Sequence, residues 1–394
     1  MNNLDRTTSA RSVDTLRHGI NVLERFLSLD VFRGVTICLM IIVNTPGKGA
    51  TLFPYLVHAR WFGFTLADIV FPSFLFAVGN AMSFSVDKMQ SQPERSFFQK
   101  IIKRTLLVFM LGFVLYWFPF VMRGVDGEWI FKPLSQARIM GVLQRIAICY
   151  FFCALMIRYL SQATMFFVAA VSLLLYWTLL YVFGQSGAEL SMSGNAIVKL
   201  DLFLLGENHI YKKDVMPFDP EGILSTLPSM VNVLAGYWTG KFIQRKGKTF
   251  ECLKVLMVAG AGLVAMGLWW SLVFPISKKL WTSSFVLYTT GIDILFLSAL
   301  IYLVELRGFT GGTRFFNVFG KNPLFIYLVS EVLYITLSVI RLPSGESVFE
   351  WLSIRVFQQI MSGPSGSLLT AVSFMLVCWC LGWWLDRRKV YIRL

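Results

Sequence analysis

The feature that most limits how this chain can fold is a succession of apolar runs. Each is roughly 17–24 residues long, enough for a helix to cross a hydrocarbon core near 30 Å. They fall at about 26–45, 64–86, 105–122, 139–158, 165–184, 222–240, 255–275, 285–304, 319–340 and 366–385. About ten transmembrane helices follow, at one helix per run near 20 apolar residues. The expected fold class is therefore all-α, a polytopic integral membrane protein. Composition closes the alternatives. Of 394 residues, 56% are hydrophobic and 15% are charged, whereas soluble domains carry about 25% charge. A soluble enzyme could not cover its surface with so few charges. A disordered chain would lack the Phe, Trp, Leu and Val that are abundant throughout.

The net charge of +14 would suggest nucleic acid in a soluble protein. Here it reads as positive-inside topology, because Lys and Arg cluster between apolar runs. The larger set holds residues 1–25, the 87–104 and 241–254 loops, Arg158, Arg307, Arg314, Lys321 and the final residues. The opposite set, with Lys48, Arg60, Arg138, Lys278 and Lys279 among it, is a little over half as large. Both termini are thus expected in the cytoplasm, in keeping with an even helix count. Residues 1–25 form a basic tail and 26–394 the membrane domain, with outer loops at about 46–63, 123–138, 185–221 and 341–365. The polar start and the absence of a small-residue cleavage site argue against a cleaved signal peptide. No cysteine falls in an outer loop, so no disulfide framework is implied. No strong internal repeat stands out.

Ionisable groups at membrane depth are costly and mark functional candidates. The first span must include Asp30 and Arg33, because too few apolar residues separate Arg33 from Asn44 to cross. The two share a helix face at i, i+3, either as a structural ion pair or as part of a lined interior. Asn44 ends that span before Thr45-Pro46-Gly47 and, taken alone, reads as a helix stop. His58, one of three histidines, precedes a span that opens on Asp68. An imidazole can take and return a proton near neutral pH, and a carboxylate on the same side can orient it. A structural histidine fits the spacing as well, and no second His or Cys lies near enough in sequence to suggest a metal site. Arg145, Asp293 and Glu331 fall inside spans, so Arg145 needs a carboxylate or an anionic ligand. Asp219 and Glu221 flank Pro220 before the sixth span, either capping a helix or holding sugar hydroxyls or an amine. On the inner face Arg104, Arg314 and Lys321 are topology signals, or in part phosphate ligands. No Walker or dinucleotide glycine pattern is present.

Several of these residues sit in longer patterns. Arg25–Gly34 resembles the opening of the heparan-alpha-glucosaminide N-acetyltransferase family and its bacterial relatives. The likeness continues through Asn44 and His58-Ala59-x-Trp61-x-Gly63-x-Thr65-x-Ala67-Asp68-x-Val70-Phe71-Pro72. It resumes at Gly141–Arg145, Leu202–Asn208 and Asp219–Thr226, and more weakly at Lys279–Trp281 and Glu331. The resemblance implies a transmembrane acetyltransferase that takes acetyl-CoA from the cytoplasmic side and acetylates a glucosamine-type amine on the far side, without a metal. The family histidine falls on His58 and its asparagine on Asn44. On this likeness His58 is the base or acetyl carrier, Asn44 an oxyanion donor and Asp68 the group that orients the imidazole. Asp30, Arg33, Arg145, Arg104, Arg314 and Lys321 are expected toward the CoA side. Trp61, Asp219, Glu221 and Glu331 are expected toward the acceptor. The animal enzyme carries a large lumenal N-terminal domain where this chain has a short basic tail, and the stretch between Asn44 and His58 is longer here. The tail fits a bacterial inner-membrane protein, with an envelope or imported amino sugar as acceptor rather than heparan sulfate, and the longer stretch is a departure from the family pattern. Family members resemble dimers, so a second copy joins membrane lipids and the sugar as an expected partner. The rival reading is a secondary transporter for N-acetylglucosamine or a related sugar.

Overall fold

The computed structural model describes residues 26–85, 90–123, 128–212 and 216–392 and places a helix at every expected run. The basic tail 1–25, with Arg6 to Arg25 and His18, lies outside the described residues, as do Lys88, Lys213 and Arg393. The long helices are α1 (Leu27–Asn44), α2 (Leu66–Ser83), α3 (Glu94–Trp117), α4 (Val142–Tyr159) and α5 (Gln162–Phe183). A short α6 (Ala196–Leu205) lies in the 185–221 loop and is followed by α7 (Thr226–Lys246), α8 (Phe250–Trp270) and α9 (Ser283–Leu300). A π-helical turn extends α9 through Leu306. Then come α10 (Thr313–Lys321), α11 (Pro323–Val339), short helical turns at 348–360, and α12 (Pro364–Arg387). The only β-ladder among the described residues is the ribbon of β1 (Val121–Arg123) and β2 (Trp129–Phe131) in the loop after α3. The protein is all-α and multi-pass.

Seven helices are both long and apolar enough to cross a membrane by themselves, and an eighth span forms if α10 and α11 count together. The other two of the ten, α3 and α7, are long but more polar. α3 begins at Glu94, well before 105, because Pro93 sets its start and Lys100, Lys103 and Arg104 extend it without breaking it. α7 carries Ser229, Asn232 and Thr239 buried within the bundle, where polar side chains find helix partners instead of lipid. The expected 319–340 run is broken: α10 and α11 meet at 84°. Pro323 has no N–H to continue the helix and forces Asn322 out of it.

Close backbone approach holds the centre together. A Cβ at Gly79 of α2 would overlap the Val233 carbonyl of α7, and one at Gly236 of α7 would overlap the Phe76 carbonyl of α2. Glycine at both places lets the two helices pack backbone to backbone. The start of α1 and the end of α12 share one face, which is bracketed by Lys321–Asp386 at 2.7 Å and Ser28–Glu305 at 3.0 Å. Arg95, Arg158 and Arg245 lie at helix ends on this side, here called the basic face. The far ends of α1 and α11 and the start of α2 form the mouth face, where Lys48 meets Ser353 and Asn44 meets Glu331.

Candidate active site

At the mouth, the chain from Pro54 makes one 3₁₀ turn, runs extended through Val57, and reaches the N-terminus of α2. Asp68, fully buried in the first turn of α2, fixes this approach. Its Oδ2 accepts the backbone N–H of Thr65 at 3.0 Å and of Ala59 at 3.2 Å. Its Oδ1 lies 2.9 Å from His58 Nδ1. An ionised carboxylate can only accept, so Nδ1 carries the proton and Nε2 presents its lone pair. The helix cap and the imidazole orientation are thus one carboxylate's work. His58 keeps 40% of its side chain open toward the mouth while protein encloses its other sides.

A second loop closes on this pair. Gly63 N–H donates to Ile276 O at 2.8 Å, and Ser277 Oγ donates to Trp61 O at 2.6 Å. These bonds bring Lys278 Nζ to 3.1 Å from His58 Nε2 and 3.3 Å from Nδ1. Burial pushes the imidazole pKa below its ordinary value, and the Lys278 ammonium lowers it further against the opposing pull of Asp68. Burial likewise lowers Lys278, while Glu221 and Asp68 favour its charge. Trp61 donates its indole N–H to Leu190 O at 2.7 Å and sets its ring on Phe218.

Behind this pair lies a buried ionic cluster. Arg138 grips Asp219 with two bonds of 2.9 and 2.6 Å and Glu221 with one of 2.5 Å. Its guanidinium lies between the Tyr116 and Tyr211 rings at 4.7 and 4.8 Å. Burial would raise Glu221, but Arg138, Arg145 and Lys278 together hold it below the usual range. Arg145, fully buried one turn into α4, donates to Gly222 O at 3.0 Å and to Ser225 Oγ, and faces the Trp281 ring. Its Nε and Nη1 have no hydrogen-bond partner among the described residues. Asp201 of α6 accepts Ile223 N–H at 2.9 Å, and burial pushes its carboxyl up to about 7. Asn44 donates to Glu331 Oε1 at 3.0 Å. Tyr116 lies within electrostatic reach of both Glu221 and Glu331, which joins the Asn44 pair to the cluster.

The remaining candidates sit toward the basic face. Asp30 and Arg33 pair at 2.5 Å. Arg33 and Arg104 line one cavity of about 260 Å³, whose walls include Phe74, Ile146, Ala147 and Tyr150. Arg104 stands over the Tyr150 ring at 4.5 Å. Ile146 directly follows Arg145, and Phe74 is about 9 Å of helix rise from Asp68 at 1.5 Å per residue. The cavity therefore climbs from the basic face toward the underside of the mouth cluster. Lys321 is bound to Asp386 instead, and Arg314 is exposed on α10. Asp293 accepts nothing from Arg145: it accepts from Ser73 Oγ at 2.5 Å, between α9 and α2. Arg145 is served by the 222–225 turn, which lies closer to its end of α4 than either intramembrane carboxylate.

Sequence reading placed Lys278 and Arg138 only among topology charges. Their roles depend on two loops docking across the mouth, and neither local pattern nor spacing carries that. The one available signal was the similarity at Lys279–Trp281, next to Lys278. Among the described residues, no three His, Cys, Asp or Glu side chains gather as metal ligands.

Fold and site together define a multi-pass membrane protein with a carboxylate-oriented histidine at one mouth and an arginine-lined cavity below it. The family model described as heparan-alpha-glucosaminide N-acetyltransferase, catalytic, matches residues 25–274. The chain belongs to that family. It is 26% identical over 365 residues to the mouse protein named heparan-alpha-glucosaminide N-acetyltransferase, covering 79% of this chain and 54% of the mouse one. Against the human protein of that name the figures are 27% over 366 residues, 78% and 53%. The chain thus spans about half the length of these relatives.

Proposed function

We propose that this protein is a transmembrane N-acetyltransferase that passes an acetyl group from acetyl-CoA on the basic, cytoplasmic face to the amine of a glucosamine-type sugar at the mouth. The membrane is the bacterial inner (cytoplasmic) membrane, and the mouth faces the periplasm. The observation that carries this reading is the placement of the Asp68–His58 pair above a cavity whose other end holds Arg33 and Arg104. Acetyl-CoA supplies the activated thioester. The two arginines suit its phosphates, and the apolar cavity walls suit its thin pantetheine arm.

His58 Nε2 accepts the proton that the attacking amine must lose as its nitrogen bonds to the acyl carbon. The C–S bond breaks and the thiolate leaves, taking up a proton. Asp68 holds the imidazole tautomer and stabilises the imidazolium that forms. Asn44 spends one amide hydrogen on Glu331 and retains a second for the thioester oxygen as negative charge grows there. Lys278 keeps His58 neutral before reaction and withdraws from Nε2 when the amine arrives. Trp61, Asp219 and Glu221 shape the acceptor side, the two carboxylates locked by Arg138. The test supplies purified protein with radiolabelled acetyl-CoA and a panel of amino sugars, beside His58→Ala. Label transfer that His58→Ala loses is the expected result.

The broken α10–α11 helix favours a second reading, a transporter, since discontinuous helices line substrate paths in carriers. No acetylated product on any acceptor, together with CoA-independent sugar flux in vesicles, would decide for it.

A further inference from the structure

A second cleft, of about 690 Å³, opens between α5, α7, α8 and α9 and takes no part in the chemistry above. Along α7 it runs from Val231 to Arg245, about 21 Å of helix rise. That exceeds the ~15 Å half-thickness of a hydrocarbon core. Its walls are apolar for most of this length, with Leu173, Leu263 and Leu287 among them. The charged groups gather at one end only, where Lys241 and Arg245 end α7 beside Gln162 at the start of α5, all on the basic face, with Thr239 and Thr290 further in. Between the two zones stands Trp238, stacked on Phe166 with ring centroids 3.8 Å apart. Its indole Nε1 is buried and has no hydrogen-bond partner among the described residues. A buried indole N–H ordinarily finds an acceptor, and Trp238 lines this cleft.

The order of these features along the axis is specific. A positive rim comes first, then, about 4.5 Å deeper at Trp238, an aromatic ring, and then a long apolar slot. An anionic headgroup, a glycerol ester region just beneath it and a hydrocarbon chain follow in the same order in a glycerophospholipid. We infer that the cleft is a binding site for one anionic glycerophospholipid of the leaflet on the basic face. Its phosphate sits at Lys241 and Arg245, its glycerol ester region lies against the Trp238 ring, and one acyl chain lies between α7 and α8.

The test uses the whole protein in neutral detergent with phosphatidylglycerol, phosphatidylcholine or inorganic phosphate, read by native mass spectrometry and thermal melting. The expected result is one retained phosphatidylglycerol per chain, a saturable rise in Tm, a weaker response to phosphatidylcholine and none to phosphate. Lys241→Gln with Arg245→Gln should weaken phosphatidylglycerol roughly 30-fold, at the usual contribution of a basic residue near a lipid surface. It should leave the phosphatidylcholine response and the Tm in detergent alone unchanged. Ala259→Trp, which fills the slot, should remove both lipids. Equal responses to the two lipids, or phosphatidylglycerol binding unchanged in both variants, overturns the inference. So does a dimer that retains no lipid and dissociates with Ala259→Trp, which would assign the cleft to a second copy. None of these readouts depends on acetyl transfer.

Discussion

The two ends of the bundle hold charge in different ways. At the mouth, ionisable groups interleave at hydrogen-bond distance: Asp68 with the neutral imidazole of His58, and Arg138 with Asp219 and Glu221. Each group there is fixed by a backbone bond, an aromatic ring or a partner. At the basic face two cations look onto one cavity. Arg33 and Arg104 line an apolar cavity, one held by Asp30 and the other resting on Tyr150. Proton transfer needs reacting atoms held to within a fraction of an ångström, whereas holding an anion needs only positive potential at the right end of a slot. On the proposed function, the contrast separates a place where bonds change from a place where a ligand is held.

The sharpest way to break the contrast is to remove His58. His58→Ala should lower acetyl transfer by roughly 10²–10⁴-fold, the usual range for a general base. Binding of CoA should be little changed, as measured by thermal shift. A variant that transfers at the parent rate would reduce the mouth to a structural charge cluster. Next in size comes Arg138→Ala. It strands Asp219 and Glu221, both buried, without their partner. Breaking such a buried pair from one side costs about 3–5 kcal/mol, read as a fall in melting temperature in detergent. Arg104→Ala at the other end should leave the fold intact and raise the KM for acetyl-CoA several-fold, in line with about 1 kcal/mol for one exposed phosphate-facing cation.

The helices were legible because apolar runs near twenty residues have few other uses, and each such run became a helix. The Asp30–Arg33 pairing was legible from i, i+3 spacing, and the Asp68–His58 contact from a helix start beside the histidine. The break at Asn322-Pro323 was not read, although the proline was visible, because the apolar run continued past it. Lys278 and Arg138 were hidden for another reason. Their partners come from residues far along the chain, and in sequence each looks like any loop cation. Arg145 was recognised as needing a partner, but a backbone carbonyl and a serine serve it instead of an acid, which hydropathy patterns do not encode.

Lys278 offers a finer probe of the mouth. Its ammonium, after burial, is what holds the His58 pKa down. On the proposed role His58 works in its deprotonated form, so activity should rise with pH through the His58 pKa. Lys278→Met removes the like charge and lets that pKa rise. The acid limb of the pH–rate profile should therefore move to higher pH, with less activity on the acid side and little change on the plateau. A limb that stays in place, or moves to lower pH, would remove Lys278 from the electrostatics of His58.

A last test, read only through its pH dependence, addresses the buried floor behind the mouth. Asp201 has no exposed surface, and its Oδ2 lacks a partner among the described residues. Burial pushes its carboxyl up to about 7, against about 3.9 in an unfolded chain. Between these values the folded state keeps a proton that the unfolded state has lost. Stability must then fall as pH rises from about 4 to about 7, and change no further from this group above that. Asp201→Asn keeps the shape and the acceptor for Ile223 N–H but cannot ionise. Its melting temperature, relative to the parent, should climb across that interval and level off near pH 7, with acetyl transfer largely preserved. A difference that stays flat with pH would mean that Asp201 is ionised in the fold, and that Arg145, which lies within electrostatic reach, supplies the counter-charge that the mouth groups otherwise claim.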